Sequence, residues 1–219
     1  MLLYRATFSP FVDRPTGGTC PEALEGRAMK IIAFAASLLI TLAVAPVALA
    51  ANATWSVDPV HSSAQFTAKH FGVVPVIGTI PIKTASVTLS GDGQIPVAVS
   101  AALDVSKIDT HNDDRDGDLR SEHFFNVAST PDIRFVSTKV EGTDPKHFTI
   151  TGDLTMVGQT HPVVLDAQVL GSGKSPRGRS FIAYSATTTV DRTKWGMSYG
   201  PVFVGNMVDI SLNIEADGP

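Results

Sequence analysis

The chain has 219 residues, of which 43% are hydrophobic, 17% charged and 7% aromatic, and 17 basic against 21 acidic side chains give a formal net charge of −4. Such a chain can build a core, which excludes disorder, and its acidic balance offers no basic footprint for nucleic acid. With 18 Gly and 14 Pro spread along it, little room is left for long helices or a coiled coil.

Near the start, Lys30 precedes an apolar run over residues 31–45, broken by Pro46 and followed by the small residues Ala48 and Ala50. The run is short for a bilayer span, so residues 29–50 read as a secretory signal peptide cleaved after Ala50, with an uncleaved anchor as the alternative. Residues 1–28 show no periodicity and precede Met29, and read as an over-extended gene model. Cleavage would remove Cys20, the single cysteine, and with it disulfides, thiolate ligands and cysteine nucleophiles. The expected product, residues 51–219, is one domain in an oxidising compartment, most simply a bacterial periplasm.

From there the apolar period is two. Ala64, Phe66, Ala68 and His70 face one way, against Ser63, Gln65, Thr67 and Lys69. Seven more strands are predicted at residues 79–89, 97–108, 133–140, 148–156, 163–170, 181–190 and 207–215. Turns that carry Gly or Pro separate many of them, as at Ser90-Gly91-Asp92-Gly93 and Val157-Gly158. Alternation stops only over residues 112–125, where acidic residues precede Leu119, Phe124 and Phe125, the pattern of a short helix. Eight antiparallel strands with one connecting helix predict an all-β fold, either a sandwich or a closed barrel. A barrel of eight strands can hold one small ligand.

Inward positions would decide what such an interior holds. Phe148, Ile150 and Leu154 alternate with Thr149, Thr151 and Asp153, and Ile210 and Leu212 with Asp209, Ser211 and Asn213. A packed core explains that pattern as well as a cavity does. Small inward residues, Ala64, Ala68 and Gly152, favour a cavity, whose wall would be Ala64, Phe66, Ala68, His70, Phe135, Phe148, Ile150, Leu154, Met156, Ile210 and Leu212. A metal site is not expected. Asn112, Asp114, Asp116 and Gly117 fit the start of a calcium loop, but His123 stands where its last ligand, Glu, belongs. Gly173-Lys174-Ser175 lacks the first glycine of a phosphate loop, and the six His avoid zinc spacings.

The chain from Trp55 to Ala216 resembles the YceI-like polyisoprenoid-binding periplasmic proteins. Val57-Asp58-Pro59-Val60-His61-Ser62 with Phe66 and His70 is similar to the family's first strand. Arg115-Asp116, Leu119-Arg120 and Phe124-Phe125 resemble its central segment, with Pro131, Phe135 and Ser137 following in register. Gly152-Asp153-Leu154-Thr155-Met156 with Gly158, Thr160, Pro162 and Val163, then Asp191-Arg192 and Gly196-Met197, match its later signatures. One departure is Gly78-Thr79-Ile80-Pro81-Ile82, where the family commonly carries an aromatic after the glycine. Pro81 cannot donate a ladder hydrogen bond, so that strand is expected to bulge or lie at an edge.

The resemblance implies a lipocalin-like eight-stranded barrel around an elongated lipid: a polyisoprenoid, an isoprenoid quinone or a fatty-acid derivative. Arg115 and Arg120, with His70, are the head-group candidates; a solvated helix face is the plain alternative for the arginines, a core imidazole for His70. The expected function is a lipid-binding carrier with no cofactor and no nucleic-acid partner, in transient contact with a membrane or a membrane protein. An enzyme acting on an isoprenoid or lipid, or a protein-binding module, are the alternatives.

Overall fold

The structure, a computed structural model, describes residues 51–219; the expected extension and signal peptide lie outside the described residues. Ten strands follow in order: β1 (Asn52–Val57), β2 (Ser63–His70), β3 (Val74–Thr79), β4 (Ile82–Ser90), β5 (Pro96–Asp104), β6 (Asp132–Asp144), β7 (His147–Met156), β8 (Gln159–Lys174), β9 (Ser180–Asp191) and β10 (Val204–Asp217). The helix α1 (Asp113–Arg120) joins β5 to β6.

Strands β4 to β10 pair antiparallel in chain order, and β1 closes the ring by pairing with both β4 and β10. Eight strands thus form a barrel, which removes sheet edges around the ring. The hairpin β2–β3 is laid on β10, where β2 continues the course begun by β1. The side-chain period of two does the rest. On β7, Phe148, Ile150, Leu154 and Met156 are buried, while Asp153 between them is exposed.

The structure differs from the sequence reading in several places. β1 was not expected as a strand, although its burial alternates and Trp55 packs against the core. The strand expected over 79–89 begins only at Ile82, as β4, while residues 74–79 form β3, which was not expected; the strand expected over 97–108 ends at Asp104 and gives way to a 3-10 turn over Val105–Lys107. Pro81 has no N–H to give, and the chain steps between partners there: Ile80 N–H donates to the Ala64 carbonyl at 3.0 Å, and the Pro81 carbonyl accepts from Asp104 N–H at 2.9 Å. Finally, α1 ends at Arg120 rather than Phe125. Asn112 caps its start by accepting from Arg115 N–H at 2.9 Å, and Ser121, in extended backbone, donates its hydroxyl to the Asp118 carbonyl at 2.7 Å. Past that stop, the chain turns Phe124 into the core.

The core also takes in Trp195, Phe124, Val105, Ile108 and Met197. The Trp195 indole donates to the Leu154 carbonyl at 3.0 Å, so its one polar group is satisfied in the interior.

Candidate functional site

Within the ring, inward rows from all eight strands surround a cavity of about 170 Å3. Nine of the expected wall residues line it: Ala64, Phe66, Phe135, Phe148, Ile150, Leu154, Met156, Ile210 and Leu212. Ile82, Val87, Val99, Leu103, Leu165, Ala167 and Ala186 complete much of the wall. Most follow the alternation of their strands, but Ile82 and Val87 have opposite parity on β4, and both face inward because the register shifts between Ile82 and Thr84; only a closed ring brings the set opposite the first nine.

Among the described residues, nothing charged faces the space. Gln65, Tyr184 and Thr188 are the only lining side chains with a nitrogen or oxygen. Burial pushes the Tyr184 phenol well above its ordinary range, so it remains a neutral donor, and it already donates to the Gln94 carbonyl at 2.9 Å. The cavity can therefore offer an occupant dispersion and exclusion from water, and little else. Its volume is close to that of engineered cavities of about 150 Å3 that take benzene. The lining nonetheless runs the length of β7, from Phe148 to Met156, so the space is long and narrow.

Two expected wall residues lie elsewhere. Ala68 keeps the inward register, paired with Val208 and Val76, but sits beyond the cavity, half-buried. His70, one step further, is exposed and rests against the Phe71 ring at 4.1 Å, which makes it neither a wall residue nor a core imidazole. The small-residue argument also needs correcting at Gly152. A Cβ there would stand 2.4 Å from the Phe135 ring, so the glycine makes room for that ring and leaves no space behind.

Neither head-group arginine reaches the cavity. Arg115 is spent on Thr110, its Nε donating to the hydroxyl and Nη2 to the carbonyl, both at 2.7 Å. Arg120 directs Nη1 to the Ile108 carbonyl at 3.5 Å. Asp116 is buried and accepts from Thr110 N–H at 2.9 Å and from its hydroxyl at 2.6 Å. This segment thus straps residues 108–110 in place, and Asp109 in turn pairs with Thr79 at the end of β3.

A family model described as YceI-like domain matches residues 55–216. The chain belongs to the YceI family. A UPF0312 protein of Pseudomonas savastanoi is 31% identical over 170 residues, covering 77% of this chain and 87% of the relative. Among solved structures, BcnA of Burkholderia cenocepacia superposes with a TM-score of 0.62 at 19% identity, covering 73% of this chain and 99% of BcnA. A polyisoprenoid binding domain from Saccharophagus degradans, implicated in plant cell wall breakdown, gives 0.55 at 14% identity, covering 78% and 99%. Both confirm the lipocalin-like barrel.

Two groups in this YceI chain escaped the sequence reading of the site. Arg192 is buried with no carboxylate bonded to it among the described residues; it donates to the carbonyls of Met197, of Gly205 at 3.1 Å and of Val204 at 3.0 Å, and stands 5.8 Å over the Phe124 ring. Desolvation pushes its pKa down, and the carbonyl oxygens take the place of water. Asp58, His61 and Glu215 bring donor atoms within 4.8 Å of one another, a spacing that could hold a cation, but none lines the cavity. Glu215 lies on the last strand, so no local spacing in the sequence announces the group.

Proposed function

We propose that the barrel binds an elongated apolar lipid, an isoprenoid or fatty chain, and serves as its carrier in the periplasm once the segment before Ala51 has been removed. The observation that carries this reading is the cavity, long, narrow and lined without a charged side chain. The Saccharophagus degradans neighbour, described as polyisoprenoid-binding, supports it. So does the lack of a reactive set on the lining, whose one phenol is committed to Gln94.

Transfer from water gives about 0.8 kcal/mol per buried CH2, so one isoprene unit of five carbons contributes up to about 4 kcal/mol. Rotamer ordering and the displacement of lining rings such as Phe66 and Phe135 take part of that back. A chain longer than the present cavity enters by turning these side chains aside, and each added unit then still gains at least about tenfold in affinity.

Titration with geraniol, farnesol and geranylgeraniol tests this directly, alongside native mass spectrometry of the purified protein. Affinity should climb with each unit, and solvent extraction should remove a co-purified mass. Absence of binding across the series, with no extractable mass, would overturn the reading. Arg115→Ala and Arg120→Ala should keep wild-type affinity, because burial rather than charge holds the chain.

A further inference from the structure

The hairpin turn between β2 and β3 and the turn over residues 199–203 stand side by side and expose large apolar side chains. Phe71 is 57% exposed, Val73 76%, Val202 73% and Phe203 55%. The two turns are joined: Phe71 N–H donates to the Phe203 carbonyl at 3.0 Å, and their rings meet edge-on at 5.7 Å. Phe71 adopts φ 51°, a left-handed conformation unfavourable for a bulky residue, next to Gly72 at φ 72°. The same angles recur at Val157 and Gly158 in the β7–β8 hairpin, so this is the geometry of a tight turn; what sets the β2–β3 turn apart is the aromatic ring it holds in water.

The charge pattern says what covers this tip. In a chain with more acidic than basic residues, no Asp or Glu occurs between Asp58 and Asp92, nor between Asp191 and Asp209. Those two stretches carry the tip; of their basic side chains Lys83 is paired with Asp132 and Arg192 is buried on backbone carbonyls, which leaves Lys69 and Lys194, both exposed. The carboxylate the structure shows nearest to these turns is Asp118, paired at 3.3 Å with His123, whose ring stacks on Tyr199 at 4.1 Å. An apolar, partly aromatic tip whose own two turns carry no carboxylate, with Lys69 on the adjoining strand, is complementary to an anionic bilayer surface, with rings entering the acyl boundary and ammonium groups meeting phosphates. The tip is also continuous with the cavity. Inward rows of β2 and β10 run from Phe66 and Ile210 on its wall through the paired Ala68 and Val208 towards His70 and Val204.

We propose that the β2–β3 turn and the 199–203 turn together dock on an anionic lipid bilayer, placing the Ala68–Val208 side of the barrel against the membrane for lipid exchange. The inference rests on the lipid-carrier reading for its purpose, although docking itself can be measured apart from cavity filling.

The eight described strands that close the ring lie within residues 52–217 and enclose their own core, so the chain from Ala51 can be tested without the apolar run before it. Lipid-extracted protein is sedimented with vesicles of phosphatidylethanolamine plus phosphatidylglycerol, and with vesicles of phosphatidylcholine alone. Wild type should bind the anionic vesicles more tightly, and less so as salt rises. The double variant Phe71→Ser/Phe203→Ser should weaken that binding by at least about tenfold. Lys69→Glu/Lys194→Glu, which leaves the apolar tip intact, should remove the preference for anionic lipid. Val164→Thr, at an exposed valine on β8, should bind like wild type. Failure of wild type to bind either vesicle, or equal binding by the folded tip variants, overturns the proposal. So does a dimer in sedimentation equilibrium that the tip variants dissociate while vesicles remain unbound. Prenyl titration in the same samples separates the two readings: a protein that binds farnesol but no vesicle refutes docking and spares the carrier.

Discussion

Replacing Ala186 by Leu asks whether the interior of the barrel is free space. Ala186 lies on β9 between Ala167 and Leu212 of the neighbouring strands, and all three line the cavity. Leucine adds three carbons, which at ~0.8 kcal/mol each are worth about 2.4 kcal/mol when buried in a void. Fixing the new rotamer costs ~0.5–1 kcal/mol, leaving a net gain near 1.5–2 kcal/mol. For a domain of this size that corresponds to a rise in Tm of roughly 3–8 °C. A packed interior gives the opposite sign, because overpacking costs ~1–3 kcal/mol. Thermal unfolding followed by circular dichroism on lipid-extracted protein decides the sign. The same variant should lose at least about tenfold in affinity for farnesol, since the leucine occupies part of its room. A lower Tm would refute the free cavity, and unchanged farnesol affinity would place the ligand elsewhere.

Gly152→Ala should do the reverse, at a buried position of β7 behind the Phe135 ring. Its Cβ would lie 2.4 Å from the Phe135 ring and 2.7 Å from the Val136 carbonyl oxygen, so a loss of ~1–3 kcal/mol is expected in thermal melts, whereas Gly171→Ala, which meets nothing within 4 Å, should melt like wild type. Arg192→Met should destabilise by about 3 kcal/mol or more in urea unfolding, because the carbonyls of Gly205, Val204 and Met197 lose their donor in a buried setting; an unchanged midpoint would refute that role. The hydrogen bond to Asp58 raises the His61 pKa above its ordinary value of 6.5 and holds the Asp58 carboxyl low. A raised folded-state pKa means that the stabilising contribution of His61 is complete below about 6.5 and fades as pH rises through the folded value. The imidazole signals of His61 should therefore titrate above 6.5 by NMR and move back in Asp58→Asn; identical titrations in both proteins would refute the pairing.

Much of this was legible because strand burial writes itself into a period of two. Phe148, Ile150 and Leu154 on β7 and Ile210 and Leu212 on β10 were placed on the correct side by alternation alone. Periodicity carries side, however, and not depth. Ala68 and His70 share the inward register of Ala64 and Phe66 but run out beyond the cavity, because β2 extends past the ring with only β10 and β3 beside it. Side-chain size misled in the same way. Gly152 is small because Phe135, 17 positions earlier in the chain, lies against it, a relation set by the pairing of β6 with β7 and invisible along the sequence. Arg115 and Arg120 are basic residues on the one segment that interrupts the sheet, which is a fair signal for function. Their donors instead go to Thr110 and Ile108, since the turn that α1 covers has carbonyls of its own to satisfy.

What a wall without charge can select follows from the same physics. Discrimination comes from how well a chain fills the space, and each misplaced or missing methylene changes the energy by only ~0.8 kcal/mol. A charged clamp would instead fix one head group and reject the rest, because a buried ion left unpaired costs far more than a methylene. With Arg115 bonded to Thr110 and Arg192 bonded to backbone carbonyls, these two cations are committed to holding the fold. The head group is then left to solvent or to whatever surface the barrel meets. For the carrier proposed above, selectivity would be a matter of chain length and girth, set by rings such as Phe66 and Phe135 that line the space.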